Sequence, residues 1–228
     1  MITNRDRDIV DWIARVGAVE PVHLMFRFKM GRTVIYRRLA ALQAAGLVER
    51  VRLLHGQPGL IVVTNAGLRL CGLQALGVTK VSAGAARHWQ ATSLVAVIIE
   101  HHHGRGAVGG VREIRAAERA TGKPVASVAI GAASHICDLV IWGPKGFGRP
   151  GGTAVEVELT AKAPERLRSI LHGWCRAQAI GTVAGVLYIC GPAAERPVMR
   201  AVETVSPQQG IQVARMPALD ALSRRSVA

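Results

Sequence analysis

Two glutamates one residue apart, Glu156 and Glu158, stand in the apolar run Thr153-Ala-Val-Glu-Val-Glu-Leu-Thr160, and Asp138 leads into a second apolar run, Leu139-Val-Ile-Trp142. Side chains alternate across a strand, so the glutamates project together while Val155, Val157 and Leu159 project the other way into a core. Carboxylates paired on a half-buried sheet surface repel one another and lose hydration, which a divalent cation or a bound proton relieves. The alternative places both glutamates on the solvated face of an antiparallel strand, with Asp138 a simple turn residue. His135, three residues before Asp138, is either a phosphate contact or a structural histidine at a strand entrance.

The elements that must position these residues follow from periodicity and punctuation. From Val111 the pattern predicts a helix to Thr121 that Gly122 stops, then strands over Val125 to Ile130 and Ile136 to Trp142. A Gly/Pro-rich turn over Gly143 to Gly152 leads to a strand from Thr153 to Thr160. A helix over Pro164 to Ile180 carries Leu167, Ile170, Leu171 and Trp174 on one face, suited to packing across a sheet. A strand from Val183 to Cys190, a helix from about Ala193 to Thr204 and a last strand from Ile211 to Arg215 complete an α/β organisation.

The first half reads differently. Thr3 or Asn4 caps a helix with Ile9, Trp12, Ile13 and Val16 on one stripe, closed by Gly17. Pro21 opens a short helix to Phe28, and after the turn Lys29-Met-Gly-Arg32 a third helix runs from Arg32 to Ala45, where Gly46 stops it. Leu47 to Leu54, a turn at His55 to Gly59 and Leu60 to Thr64 read as a β-hairpin, after which Asn65 caps a short helix. Three helices followed by a hairpin is the order of a winged helix-turn-helix, whose third helix enters the major groove. On that helix Ile35, Leu39 and Leu42 face inward, leaving Arg32, Thr33, Tyr36, Arg37 and Arg38 as candidate DNA contacts. The alternative is a solvated basic helix in a protein-interaction module. Winged helices often pair, so a homodimer on a palindromic site is a further expectation.

Around Gly77 to Gly84 the composition shifts to Gly, Ser and Ala, which marks an expected domain boundary, and Ala85 to His103 reads as one helix. Its end carries His101, His102 and His103, but consecutive helical residues point about 100° apart and cannot all ligate one ion, so a solvated helix end is expected.

Composition sets the partner class. Half of the 228 residues are apolar, enough for a sizeable core, and 29 Lys plus Arg against 15 Asp plus Glu give a formal net charge of +14. A polyanion is the natural partner, and double-stranded DNA comes first. No basic amphipathic helix stands out for a membrane surface, and Leu94 to Ile99 is far too short to span one. The charged start, Met1 to Asp8, lacks a signal-peptide apolar stretch, so a cytoplasmic protein is expected. Cys71, Cys137, Cys175 and Cys190 are far apart and form no Cys-x-x-Cys pair, so they read as buried free thiols.

An α-β-β-β-α-β order with Asp138 at the start of its second strand and Glu156-Val-Glu158 in its third resembles the PD-(D/E)xK nuclease superfamily. The whole chain also resembles the replication-relaxation family of actinobacterial and mobile-element proteins. The motifs are Thr3-Asn-Arg-Asp-Arg-Asp-Ile-Val10, Gly46-Leu-Val-Glu-Arg50, Val111-Arg-Glu-Ile-Arg115, His135-Ile-Cys-Asp138 and Val155-Glu-Val-Glu-Leu-Thr-Ala-Lys162. The resemblance implies a fold that is α/β, α+β overall. A winged helix-turn-helix spans 1–77, a PD-(D/E)xK restriction-endonuclease-like domain 85–217 and a tail 218–228. It implies a DNA-binding protein of plasmid or mobile-element replication, relaxation or transfer, with a relaxase or replication protein as partner.

For the second domain it implies a metal-dependent DNA endonuclease in which Asp138 and Glu156 hold Mg²⁺, or Mn²⁺ in its place, with Glu113 as a further acid. Glu158 would orient the attacking water. The last motif position is usually lysine; here either Glu158 or the later Lys162 fills it. A glutamate there removes a cation that could stabilise the pentavalent phosphate, so a second cation becomes more necessary. The alternative is a non-catalytic DNA-binding accessory factor or transcriptional regulator that uses the nuclease fold as a scaffold.

Overall fold

The computed structural model describes residues 2–53, 59–143, 146–205 and 210–217. The turn expected at His55 to Gly59 lies outside them except for Gly59, the turn expected at Gly143 to Gly152 lies outside at 144–145, and the 218–228 tail lies wholly outside. The protein is a mixed α/β chain of two compact units, Met1–Arg105 and Gly106–Ala228.

The first unit runs α1 (Asn4–Val16), β1 (Ala18–Val19), α2 (Pro21–Phe28), α3 (Arg32–Ala44), β2 (Val48–Val51), β3 (Leu60–Val63), α4 (Asn65–Cys71), a 3-10 turn at Gln74–Leu76 and α5 (Ala83–His103). Thr3 caps α1: its hydroxyl accepts from the Asp6 N–H and the Asp6 carboxylate accepts from the Thr3 N–H. Thr64, not Asn65, caps α4, because its hydroxyl accepts the Gly67 N–H at 3.2 Å while donating to the Gly46 carbonyl. β2 and β3 form the expected antiparallel hairpin, and β1, which periodicity missed, pairs with the other edge of β3 to give the order β1-β3-β2.

The long helix α5 was expected to open the second domain, but it packs with α1, α2 and β1 in the first unit, so the division falls near residue 105 rather than 77–85. A polar seam joins it to α2. Gln90 donates to Glu20 at 2.7 Å, His23 Nδ1 and the Ser93 hydroxyl lie 2.7 Å apart, and Arg27 forms an ion pair with Glu100 while its guanidinium covers the rings of Trp12 and Phe28. These α2 positions are three and four residues apart and lie on one face.

The second unit runs β4 (Val108–Gly110), α6 (Val111–Thr121), β5 (Ser127–Ile130), β6 (Ala133–Ile136), β7 (Leu139–Ile141), β8 (Gly152–Glu158), α7 (Pro164–Ala179), β9 (Val183–Cys190), α8 (Pro192–Val205) and β10 (Ile211–Arg215). Its main sheet has the order β10-β9-β8-β7-β4, with β10, β9 and β8 parallel and β7 and β4 antiparallel additions. The strand expected over Ile136 to Trp142 is broken at Cys137-Asp138: β6 pairs only with β5 as a separate hairpin, and β7 joins the sheet. β4 lies in a glycine-rich stretch that read as loop. Gly109 is required there, since a Cβ would sit 2.1 Å from the Trp142 ring. Ala154, Val186, Tyr188 and Cys190 pack with Leu167, Ile170, Leu171 and Trp174 of α7 in one core cluster, to which the hairpin contributes Val128.

The α2–α5 seam makes the first unit sensitive to acid. His23 is 2% exposed, and burial pushes its imidazole down to about 4. The unfolded chain therefore binds this proton first, so stability is complete above the ordinary histidine pKa and declines as pH falls from about 6.5 towards 4. Glu20, 3.9 Å from the ring, has its carboxyl raised by burial and works in the opposite sense. The net loss should thus be smaller than the roughly 3 kcal/mol the histidine shift represents alone. Denaturant midpoints measured between pH 7 and 4 should fall for the wild type more than for His23→Gln; equal declines would refute this role.

Candidate functional site

β8 is the middle strand of the five-stranded sheet, and this decides what its glutamates meet. Both faces of the strand are covered: Glu156 is 1% exposed and Glu158 6%, so the solvated-face alternative is excluded. Alternation places them on the side of the core cluster with Ala154, opposite Val155 and Val157.

A carboxylate buried this deeply must be held by donors, and each has them. Glu156 Oε1 accepts from the Trp174 indole N–H at 3.0 Å and lies 2.5 Å from His135 Nε2, which carries the proton when Glu156 is ionised. The aromatic edge of Trp174 also meets the His135 ring. Glu158 pairs with Lys162, four residues on, in the segment between β8 and α7. Asp138 stands just outside the last β7–β8 ladder pair, Leu139 and Val155, so it reaches the level of Glu156. Its Oδ2 accepts the Val157 N–H at 2.8 Å and its carbonyl accepts the Val111 N–H, which ties the start of α6 to the same corner. Glu113, at 1% exposure, reaches back from the first turn of α6 to accept the Gly110 N–H.

The negative charge of this corner acts on Glu158, Tyr188, Cys190 and Cys137. Burial raises the Glu158 carboxyl, Lys162 pulls it back, and Glu156 and Asp138 push it further up. Tyr188, paired with Glu156 across β8–β9, is fully buried, and its hydroxyl is held firmly protonated by burial first and Glu156 second. The Trp174 N–H stands near enough to favour a tyrosinate, but it is aimed at Glu156 and leaves the Tyr188 oxygen without a well-formed hydrogen bond. Burial likewise lifts the Cys190 thiol to about 12 and Cys137 upward, with Glu158 and Glu156 the next causes. These thiols are inert at neutral pH.

Asp138, Glu156, Glu158 and Lys162 are thus brought to one corner, as the motif spacing implied, together with Trp174, Tyr188 and His135. Trp174 had been read only as a packing residue of its helix, and Tyr188 had not been singled out. Their signal was present: a buried Trp or Tyr needs a polar partner, and a buried glutamate supplies one. Among the described residues, however, no three of His, Cys, Asp and Glu converge as a metal-ligand set. Glu156 Oε1 accepts from Trp174 and lies against His135, Asp138 Oδ2 accepts the Val157 N–H and Glu113 accepts the Gly110 N–H, so Mg²⁺ at Asp138, Glu156 and Glu113 would compete with these donors.

The basic helix of the first unit is arranged differently. Arg32, Thr33 and Arg37 on α3 are exposed, as is Arg52 just beyond β2. The Tyr36 ring lies between the guanidinium groups of Arg32 and Arg50, 5.8 and 5.7 Å from its centroid, which joins α3 to the β2 edge. Arg50 was missed because the helix alone was searched, and Val34, at 37% exposure, because only polar and aromatic side chains were considered on it. Arg38 is spent inside the unit: it pairs with the buried Asp6 of α1 at 3.0 Å.

The Lys162 pair should be visible in pH-dependent stability. A carboxyl raised in the folded state keeps its proton longer than in the unfolded chain, so its contribution is full in acid and is lost as pH rises through the raised value. Lys162→Met removes the offsetting charge and should deepen that loss. At pH 8 the cost should be about 1–2 kcal/mol, below the roughly 3–5 of a wholly buried pair because the lysine side chain is 25% exposed. Adding Glu158→Gln should restore stability; if the double variant is no more stable than Lys162→Met, the pair does not act this way. No protein-family model, curated protein or solved structure matches the chain.

Proposed function

We propose that this chain is a DNA-binding protein whose first unit docks α3 in the major groove and lays the β2–β3 hairpin along the backbone, in the manner of a winged helix-turn-helix. The observation that carries this reading is the division of labour among the arginines. Arg38 is fixed to Asp6 and sets α3 against α1, while Arg32, Arg37 and Arg52 are exposed and Arg32 and Arg50 lie over Tyr36. Arginine there binds phosphates or pairs with guanine edges, and Val34 offers an apolar contact for a thymine methyl. With a net charge of +14 behind it, association would be steered electrostatically and weaken steeply with salt. The role in plasmid or mobile-element replication, relaxation or transfer implied by the motif resemblance is part of this proposal.

For the second unit the burial of the carboxylates and the protein donors they already meet favour a nuclease-like scaffold used without cleavage. A second reading keeps metal-dependent hydrolysis, on the single ground that Asp138 and Glu156 stand level across β7 and β8. It requires His135 and Lys162 to release their carboxylates before any cation could enter.

Two measurements test these readings. In gel shifts on short duplexes, Arg32→Ala/Arg37→Ala should weaken binding by at least about tenfold and flatten the salt dependence by close to 2 in log–log slope, from about 0.9 per phosphate contact. Arg38→Ala should instead lower thermal stability. Unchanged affinity in the first variant would remove α3 as the reading element. Incubated with supercoiled plasmid in Mg²⁺, Mn²⁺ or EDTA, the protein should bind without nicking. Metal-dependent nicking that Glu156→Gln and Asp138→Asn abolish would overturn the scaffold reading in favour of an endonuclease.

A further inference from the structure

Between α7 and α8 lies a cleft of about 280 Å³ that nothing above employs. Its floor includes Leu167 and Ala201, and its cationic lining is Lys162, Arg168 and Arg200 with no acidic residue among them. Pro197, inside α8, forms part of the wall. A proline within a helix lacks the N–H for the i−4 carbonyl, which loosens that turn of α8 beside the cleft.

The arginines are the informative part. Arg168 and Arg200 are both exposed, and among the described residues neither forms an ion pair, although Glu165 and Glu203 stand one turn away on the same helices. Elsewhere surface arginines of this chain do find carboxylates, as Arg15 does with Asp11 and Arg215 with Glu195. Two guanidinium groups with no ion pair among the described residues, on the two helices that line one cleft beside an apolar floor, can converge on an anion. The volume lies just below the range for drug-sized ligands and suits one phosphate with its adjoining sugars.

We propose that this cleft binds a phosphodiester of the DNA backbone, with Arg168 and Arg200 as its clamps and Lys162 at the lip nearest the carboxylates. The second unit then holds DNA in its own right. The proposal shares with the functional reading above the premise that DNA is the partner, but it does not depend on α3.

The test is fluorescence anisotropy with duplex DNA over a salt series. The full chain is compared with Arg168→Gln/Arg200→Gln, with Arg32→Ala/Arg37→Ala, and with all four substitutions together. Both arginines of the cleft are exposed, so the melting temperature should not move. The cleft variant should lose roughly tenfold in affinity and about 2 in log–log salt slope in both backgrounds, since each phosphate contact contributes about 0.9. Unchanged affinity and slope would overturn the proposal. So would stabilisation by inorganic phosphate that the cleft variant loses while its DNA binding is intact, which would mark a small-anion site. Loss in the cleft variant with none in the α3 variant would sustain the cleft and remove the α3 reading, and the converse would do the reverse.

Discussion

The second unit is organised by the requirement that Glu156, on the middle strand of a sheet covered on both faces, be given hydrogen-bond donors. Trp174 comes from α7 and His135 from the β5–β6 hairpin, so meeting that requirement fixes the register of the helix and the position of the hairpin over the sheet. The break between β6 and β7 belongs to the same arrangement. Asp138 cannot continue the strand and also accept the Val157 N–H with its side chain, so the ladder ends at Leu139 and a carboxylate takes over. Replacing the network by apolar residues could leave stability unchanged, whereas removing a single donor strands a buried charge. Such networks specify geometry more than they add stability.

The first unit divides its cations by the same rule of burial. Arg27 and Arg38 each find a carboxylate and serve as struts, one from α2 to α5 and one from α3 to α1. Among the described residues Arg32, Arg37 and Arg52 form no such strut and are exposed, with Arg32 over the Tyr36 ring. A chain with twice as many bases as acids cannot pair them all, and which bases are left over is set by where the few acids are buried.

Much of this was legible in the sequence, for reasons that also mark the limit. Helices α1, α2, α3 and α7 lie where the apolar stripes and the Pro and Gly punctuation put them, and the β2–β3 hairpin and β9 follow alternation and apolar runs. Strand β1 has two residues and β4 is Val-Gly-Gly, so neither carries a period; both exist only because a neighbouring strand offers an edge. The membership of α5 was hidden because a glycine- and serine-rich stretch resembles a linker whether or not the following helix turns back. At the site, the structure places Asp138, Glu156, Glu158 and Lys162, singled out from the motif, near one another. Alternation tells which residues share a face but not what covers that face, and so it could not show that Glu156 would meet Trp174 rather than water or a cation.

Lys162 links these levels. Its ammonium pairs with Glu158, while its side chain also lines the cleft that Arg168 and Arg200 flank. One lysine cannot fully serve two anions. A phosphate in the cleft competes with Glu158 for it, and as that pairing weakens, the buried carboxyl is driven further towards its protonated form by Glu156 and Asp138. The reverse also holds by linkage: conditions that protonate Glu158 release Lys162 and strengthen the cleft for an anion. Placing the lysine four residues beyond the glutamate, past the end of the strand, therefore couples the carboxylate corner to the helical surface.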